Sequence, residues 1–299
     1  MAGEIKSMTD QTWHSNLDFE WICNKSQEWE SYRYGRPFLV NAHSVSILVS
    51  FAPDDTNNSR ISLIEGAFSN SIMPGGNISK PYFVKTKKGW LCIEKYYPSL
   101  LEGYNAQAFS LLSISQQSRI LLSAANALHT LHNAGLVHGG LDNNSFRMIK
   151  ASDNNFRTVL SGFAYTDIEE IHATGYPAGY QASEIHNRKA ITKKTDVYAL
   201  GVCFYFLLTN RIPSWSQDGK LLVPSFVDDQ YRSLLSAMLK RNPEERVDMM
   251  HIISRLKNKG ESESSDCIIY YSDRGYQING REYYNNLLEH NDWLKNTMM

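Results

Sequence analysis

The sequence predicts an α+β fold in which a small, strand-rich first half precedes a helical second half. Three observations carry that expectation. From His43 to Phe51 (HSVSILVSF) apolar and polar residues nearly alternate, the period of a strand with one face buried. From Gln116 to His132, Ile120, Leu121, Ala124, Ala127, Leu128 and Leu131 recur at spacings of three and four, which lines one face of a long helix. From Val197 to Leu208 (VYALGVCFYFLL) the chain is uncharged and apolar, too short to cross a bilayer and suited to a core helix.

The remaining elements follow in chain order. Residues 1–33 are polar at first and then aromatic (Trp13, Phe19, Trp21, Trp29), which predicts an extension anchored on the strand-rich half. Residues 53–60 (PDDTNNSR) read as a loop, followed by a short helix near Ser62 to Phe68. Lys80, Lys85, Lys87 and Lys88 flank a strand and its turn, as a solvated face does. Phe156 to Leu160 reads as a further strand. Asn258 to Asp266 (NKGESESSD) has the composition of a linker. After it come a strand at Cys267 to Tyr271, a turn at Ser272 to Gly275 and a helix-like REYYNNLLEHNDWLK. The tail aromatics (Tyr270, Tyr271, Tyr276, Tyr283, Tyr284, Trp293) leave two readings, docking back onto the rest of the chain, which is the favoured one, or carrying a partner.

Charge and cysteine content narrow the function classes. Thirty basic and 31 acidic residues nearly cancel, so no global basic field points to nucleic acid or an anionic membrane. Cys23, Cys92, Cys203 and Cys267 are far apart and fit free thiols in a reducing compartment. The first residues lack the apolar core of a signal peptide, so the expectation is a cytoplasmic protein without a membrane span.

The most informative stretch is Leu131 to Phe146 (LHNAGLVHGGLDNNSF). It resembles the catalytic loop of the protein kinase family, H-R-D-L-x-x-x-N, with His138 and Leu141 in place. Four further stretches resemble the family in the same order. Phe163 stands in the D-F-G position, and Gly175 to Glu184 follows the G-T-x-x-Y-x-A-P-E pattern. Thr195 to Val202 resembles the D-V-W-S-L-G-V helix start, and Met238 to Arg246 the M-L-x-x-x-P-x-x-R segment. The resemblance covers about Tyr34 to Lys257 and implies a two-lobed kinase-like domain, with a reduced β-rich N-lobe over 34–96 and a helical C-lobe over 97–257. Residues 1–33 form an extension, and 258–299 a linker and aromatic-rich tail. The resemblance also implies structural roles for His138, Phe163 and Asp196, and a buried ion pair between Glu184 and Arg246.

Where the family carries its chemistry, this sequence departs from it. The lysine that holds the nucleotide phosphates is Leu48, the catalytic aspartate is Gly140, and the two magnesium ligands are Ser145 and Gly162. Glu65 is the candidate for the carboxylate that pairs with the missing lysine. No G-x-G-x-x-G precedes Val45, so backbone N–H groups cannot cradle phosphates as they do in the family. Phosphoryl transfer rests on positioning and charge neutralisation, and every charged part is replaced. The expectation is a pseudokinase, with no catalytic residue and neither ATP nor magnesium bound. It would act as a scaffold or regulatory module on a protein partner, such as an active kinase or another signalling protein. The competing reading is an ATP-dependent transferase with a rewired cleft, for which Asp142, Asn144 and Asp167 are the nearest candidates.

Overall fold

The computed structural model describes residues 17–29, 37–42, 45–52, 59–69, 77–87, 89–100, 109–150, 156–169, 174–260, 269–272, 275–278 and 281–284. The first described element is helix α1 (Phe19–Lys25), N-capped by the Asp18 carboxylate, which accepts from the Trp21 amide. Strands β1 (Phe38–Ala42) and β2 (Val45–Phe51) pair antiparallel, and helix α2 (Ser59–Ser69) follows. Strands β3 (Tyr82–Thr86) and β4 (Gly89–Lys95) complete a four-stranded antiparallel sheet of order β1-β2-β4-β3. The helix α2 predicted at Ser62 to Phe68 is longer than expected, running 11 residues.

The alternation in β2 divides this sheet into two faces. Ile47, Val49 and Phe51 join Leu91 and Ile93 on the outer face, which is covered by Leu17, Trp21, Ile22 and Trp29. Trp29 meets Trp21 and Phe38 edge-on, with ring centroids 6.2 and 5.6 Å away. The aromatic part of the extension thus removes from water a face that would otherwise be exposed. Leu48, Ser50, Cys92 and Glu94 share the opposite face, toward the second lobe, because Leu48 is registered with Glu94 and Ser50 with Cys92. Lys80 and Lys85 lie over the rings of Tyr82 and Trp90, so these two lysines shield aromatic surface.

The second lobe is built on two helices. Helix α3 (Ile114–Asn133) starts at a Ser113–Gln116 capping box and buries Leu121, Ala124, Leu128 and Leu131. Beyond it lie short strands β5 (Leu136–Val137), β6 (Phe146–Lys150), β7 (Phe156–Leu160) and β8 (Asp167–Ile168), paired β5 with β8 and β6 with β7. A single turn, α4 (Ser183–His186), precedes α5 (Lys193–Thr209), whose side chains from Thr195 onward are all buried. A helix apolar on every side can only sit inside a core. The β9–β10 hairpin (Ser214–Trp215, Leu221–Leu222) and helices α6 (Asp229–Met238) and α7 (Met249–Gly260) close the lobe, with α7 packed on α3. Among the described residues no helix is long and apolar enough to cross a membrane.

The end of the chain departs from the sequence expectation. Helix α7 continues to Gly260, so the first residues assigned to a linker are helical. Strands β11 (Ile269–Ser272), β12 (Gly275–Ile278) and β13 (Arg281–Tyr284) form an antiparallel meander. Arg281 to Tyr284, expected as the start of a helix, is therefore a strand registered against β12. Two tyrosines in succession favour a pleated surface over a helix. The rest of that expected helix lies outside the described residues, as does Cys267.

Glu184 and Arg246 meet deep in the second lobe, with Nη1 to Oε1 at 2.5 Å and Nη2 to Oε2 at 2.7 Å. The guanidinium also donates to the carbonyls of Lys240, Lys194 and Arg241. Burial acts to raise the Glu184 carboxyl, but the adjoining guanidinium outweighs it and holds the group below its ordinary range. Removing one partner strands the other charge, so Arg246→Ala is expected to lose about 3–5 kcal/mol of stability. Urea unfolding of parent and variant measures this; equal midpoints would contradict it.

Candidate functional site

The loop between α3 and β6 is organised by one carboxylate. Asp196, at the start of α5 and inaccessible to solvent, accepts from His132 Nε2 at 2.8 Å and from the backbone amides of His138 at 2.8 Å and Gly139 at 3.3 Å. The Tyr176 hydroxyl donates to it as well. Burial pushes this carboxyl up, yet these donors outweigh burial and hold it below its ordinary value. The His138 ring hydrogen-bonds the Ser161 carbonyl at 2.9 Å and faces Phe163 at a centroid distance of 5.5 Å. Phe163 in turn meets Phe68 of α2 edge-on at 5.4 Å. A continuous stack, Phe68–Phe163–His138, therefore runs from the first lobe into the loop.

The positions at which the family keeps its chemistry have other occupants. Gly139 has φ +74°, and a Cβ there would collide with the Tyr165 carbonyl oxygen, so a side chain is excluded. A Cβ at Gly140 would lie 3.4 Å from the backbone of Gly175. The Gly175 amide donates to the Gly139 carbonyl at 2.8 Å, which keeps that backbone in ordinary van der Waals contact with the place of a catalytic base. Gly162 also has a positive φ, +91°. Leu48 is buried on the inner face of the sheet.

Ser145, Asp142 and Asn144 are held in one local motif. Asp142 Oδ1 accepts from the amides of Asn144 (2.8 Å) and Ser145 (3.0 Å) and from the Ser145 hydroxyl (3.1 Å). The Asp142 amide donates back to that hydroxyl. This closes a capping box on the turn Asn143–Ser145, the ordinary use of Asp and Asn in a loop. Asp167 lies elsewhere, on β8, 3.8 Å from Arg60 of α2. The three candidates for a rewired centre thus divide between a turn cap and an ion pair. Among the described residues no group of three or more His, Cys, Asp or Glu side chains is arranged to hold a metal ion.

Glu65 does not take the inward position proposed for it. It is exposed, whereas Ile61, Ile64 and Ala67 are the buried residues of α2. A shift of one residue on a helix turns a side chain by about 100°, and here it exchanges a carboxylate for an isoleucine.

The residue that the motifs passed over is Glu94. It is fully buried on β4, and Oε2 accepts from the amides of Gly162 at 2.7 Å and Phe163 at 3.2 Å. The carboxylate therefore ties the first lobe to the segment bearing Phe163. Burial raises its pKa to about 7, against the lowering effects of those amides, Arg147 and Ser79. The neighbouring Cys92 thiol is likewise pushed up by its own burial, a shift to which Glu94 adds. Arg147, buried on β6, donates to the Tyr97 carbonyl at 3.2 Å and to Ser161 Oγ at 3.3 Å, with Tyr96 stacked near its guanidinium. The sequence did carry a signal for Glu94: a lone acidic residue in Leu91-Cys92-Ile93-Glu94, two positions from buried Cys92.

A model of the protein kinase domain matches residues 77–256, more than half of the chain. The chain belongs to the protein kinase domain family. It is 25% identical over 225 residues to a "Probable inactive receptor kinase" of Arabidopsis thaliana, covering 62% of this chain and 33% of that protein. It is 27% identical over 160 residues to Aurora kinase of Schizosaccharomyces pombe, covering 46% of this chain and 41% of that one. Against human ribosomal protein S6 kinase alpha-2 it is 28% identical over 142 residues, covering 42% and 19%. This kinase-domain chain thus spans well under half the length of these curated relatives.

Glu94 makes stability depend on pH. A folded-state pKa raised to about 7 from 4.5 contributes stability that is fully present below about pH 4.5 and is lost as pH rises through about 7, on the order of 3 kcal/mol. Glu94→Gln keeps an acceptor for both amides but cannot ionise. Relative to the parent, this variant is expected to gain stability between about pH 5 and pH 8, read from urea midpoints. A parent-to-variant difference that is the same at both pH values would contradict the assignment.

Proposed function

We propose that this kinase-domain protein is a pseudokinase, acting through protein partners as a binding, scaffold or allosteric module. The observation that carries this reading is the contact of Glu94 with the amides of Gly162 and Phe163. Where the family places a magnesium-binding aspartate, this chain has a glycine whose amide already serves an internal carboxylate. The other replacements act in the same sense. Leu48 offers a triphosphate no charge, and an apolar contact leaves phosphate oxygens poorly solvated. Ser145 spends its hydroxyl on the Asp142 cap. Gly140 has no side chain to accept a proton.

ATP and magnesium are accordingly not cofactors in this reading, and the working surfaces lie outside the cleft. The outer C-lobe, the segment from Tyr165 to Tyr180 and the tail are where a partner would be engaged. Loss of catalysis does not remove the fold's use as a module, since function resides in sites carried by a fold.

The test is incorporation of label from ATP labelled at the α or the γ position, with magnesium or manganese present. The parent is expected to incorporate none. Gly140→Asp and Gly162→Asp, made singly, are expected to stay inactive because the parts of such a site act as a unit. Label incorporation abolished by Asp142→Asn or Asp167→Asn would instead make the protein a rewired transferase.

A further inference from the structure

The retained Glu184–Arg246 pair lies beneath a surface cleft of about 500 Å³ on the second lobe, whose lining includes Ser183, Asn187, Lys189, Lys240, Arg241 and Glu245. The pair organises the walls of that cleft through the backbone. Arg246 donates to the carbonyls of Lys240 at 2.8 Å and Arg241 at 3.2 Å. The Ser183 hydroxyl donates to the same Arg241 carbonyl at 2.6 Å. On the facing wall, the Lys189 amide donates to the Glu184 carbonyl at 2.8 Å. Arg188, with φ +54°, turns the chain between Asn187 and Lys189.

These contacts use main-chain atoms rather than the cationic side-chain ends. Lys189, Lys240 and Arg241 are exposed, and among the described residues none of the three has a carboxylate partner. The second surface cleft, of about 570 Å³, differs: there Arg232 is paired with Asp229, and Asp218 faces the same space as Lys220. In the first cleft three cations stand against the single carboxylate of Glu245, a local excess of two positive charges. A phosphate monoester carries about −1.5 to −2 at neutral pH and offers three acceptor oxygens, which matches that excess. A single carboxylate supplies half the charge. Arginine adds the paired donors that suit a phosphate oxygen edge.

We propose that this cleft binds a phosphorylated serine or threonine on a protein partner, with Lys189, Lys240 and Arg241 as the recognising groups. The site is separate from the interlobe cleft, so its failure would leave the pseudokinase reading intact.

The experiment uses the full chain and a fluorescein-labelled peptide mixture of random sequence around a central phosphoserine, with its unphosphorylated twin, followed by anisotropy. The phosphorylated mixture is expected to bind at least about tenfold more tightly, since charge-assisted hydrogen bonds are the strong ones. Lys240→Ala and Arg241→Ala are each expected to weaken it by about tenfold without lowering the melting temperature, while Arg232→Ala leaves it unchanged. Equal binding of both mixtures, or parent-like binding by the two cleft variants, would overturn the proposal. So would a response to inorganic phosphate alone with no preference for the phosphorylated mixture, because that is a free-anion site.

Discussion

Asp196 is the interaction on which the rest of the second lobe depends. One solvent-inaccessible carboxylate gathers His132 from the end of α3, the amides of His138 and Gly139 and the hydroxyl of Tyr176. An ionised carboxylate in such a place is tolerable only when donors surround it, and four groups from three segments do so. Their positions fix the turn of the loop, and with it the ring of His138 beneath Phe163. The frame of a kinase loop therefore survives on interactions that need none of the catalytic residues. This explains how Gly140, Ser145 and Gly162 can stand in a well-formed site.

The first lobe is joined to that frame by a different logic. Phe68, Phe163 and His138 form an apolar and aromatic stack across the boundary, and Glu94 adds a polar link beside it. Arg60 of α2 makes a further tie, donating to the carbonyl of Ala164 at 3.0 Å. A buried carboxylate raised to a pKa of about 7 is a costly way to join two lobes near neutral pH. Its geometry gives the reason for its presence: the amides of Gly162 and Phe163 have no strand or helix partner there, and Glu94 satisfies both.

Much of this arrangement was legible in the sequence because spacing along the chain fixes it. The periodicity of Gln116 to His132 gives α3, and the uncharged run from Val197 gives α5. The fixed interval between His138, Leu141 and Ser145 gives the loop. Relations across long separations were not legible in this way. Glu94 meets Gly162 from 68 residues away, and nothing local in Leu91 to Lys95 announces the partner. Whether Ile64 or Glu65 faces inward depends on the rotation of α2 about its axis, which the residue pattern of Ser59 to Ser69 leaves undetermined. In the tail, Arg281 to Tyr284 suits either period, and only its pairing with β12 makes it a strand.

On the proposed reading the cleft between the lobes serves the protein's own groups: Glu94 holds two amides, Arg147 donates to Tyr97 and Ser161, and Leu48 lies on the inner face of the sheet. The most direct measurement is a thermal-shift titration of the full chain with ATP, alone and with magnesium or manganese. Any ligand that binds the folded state raises the melting temperature by mass action. No shift is expected at millimolar nucleotide under any of these conditions. A saturable rise, above all one that requires the metal, would contradict it.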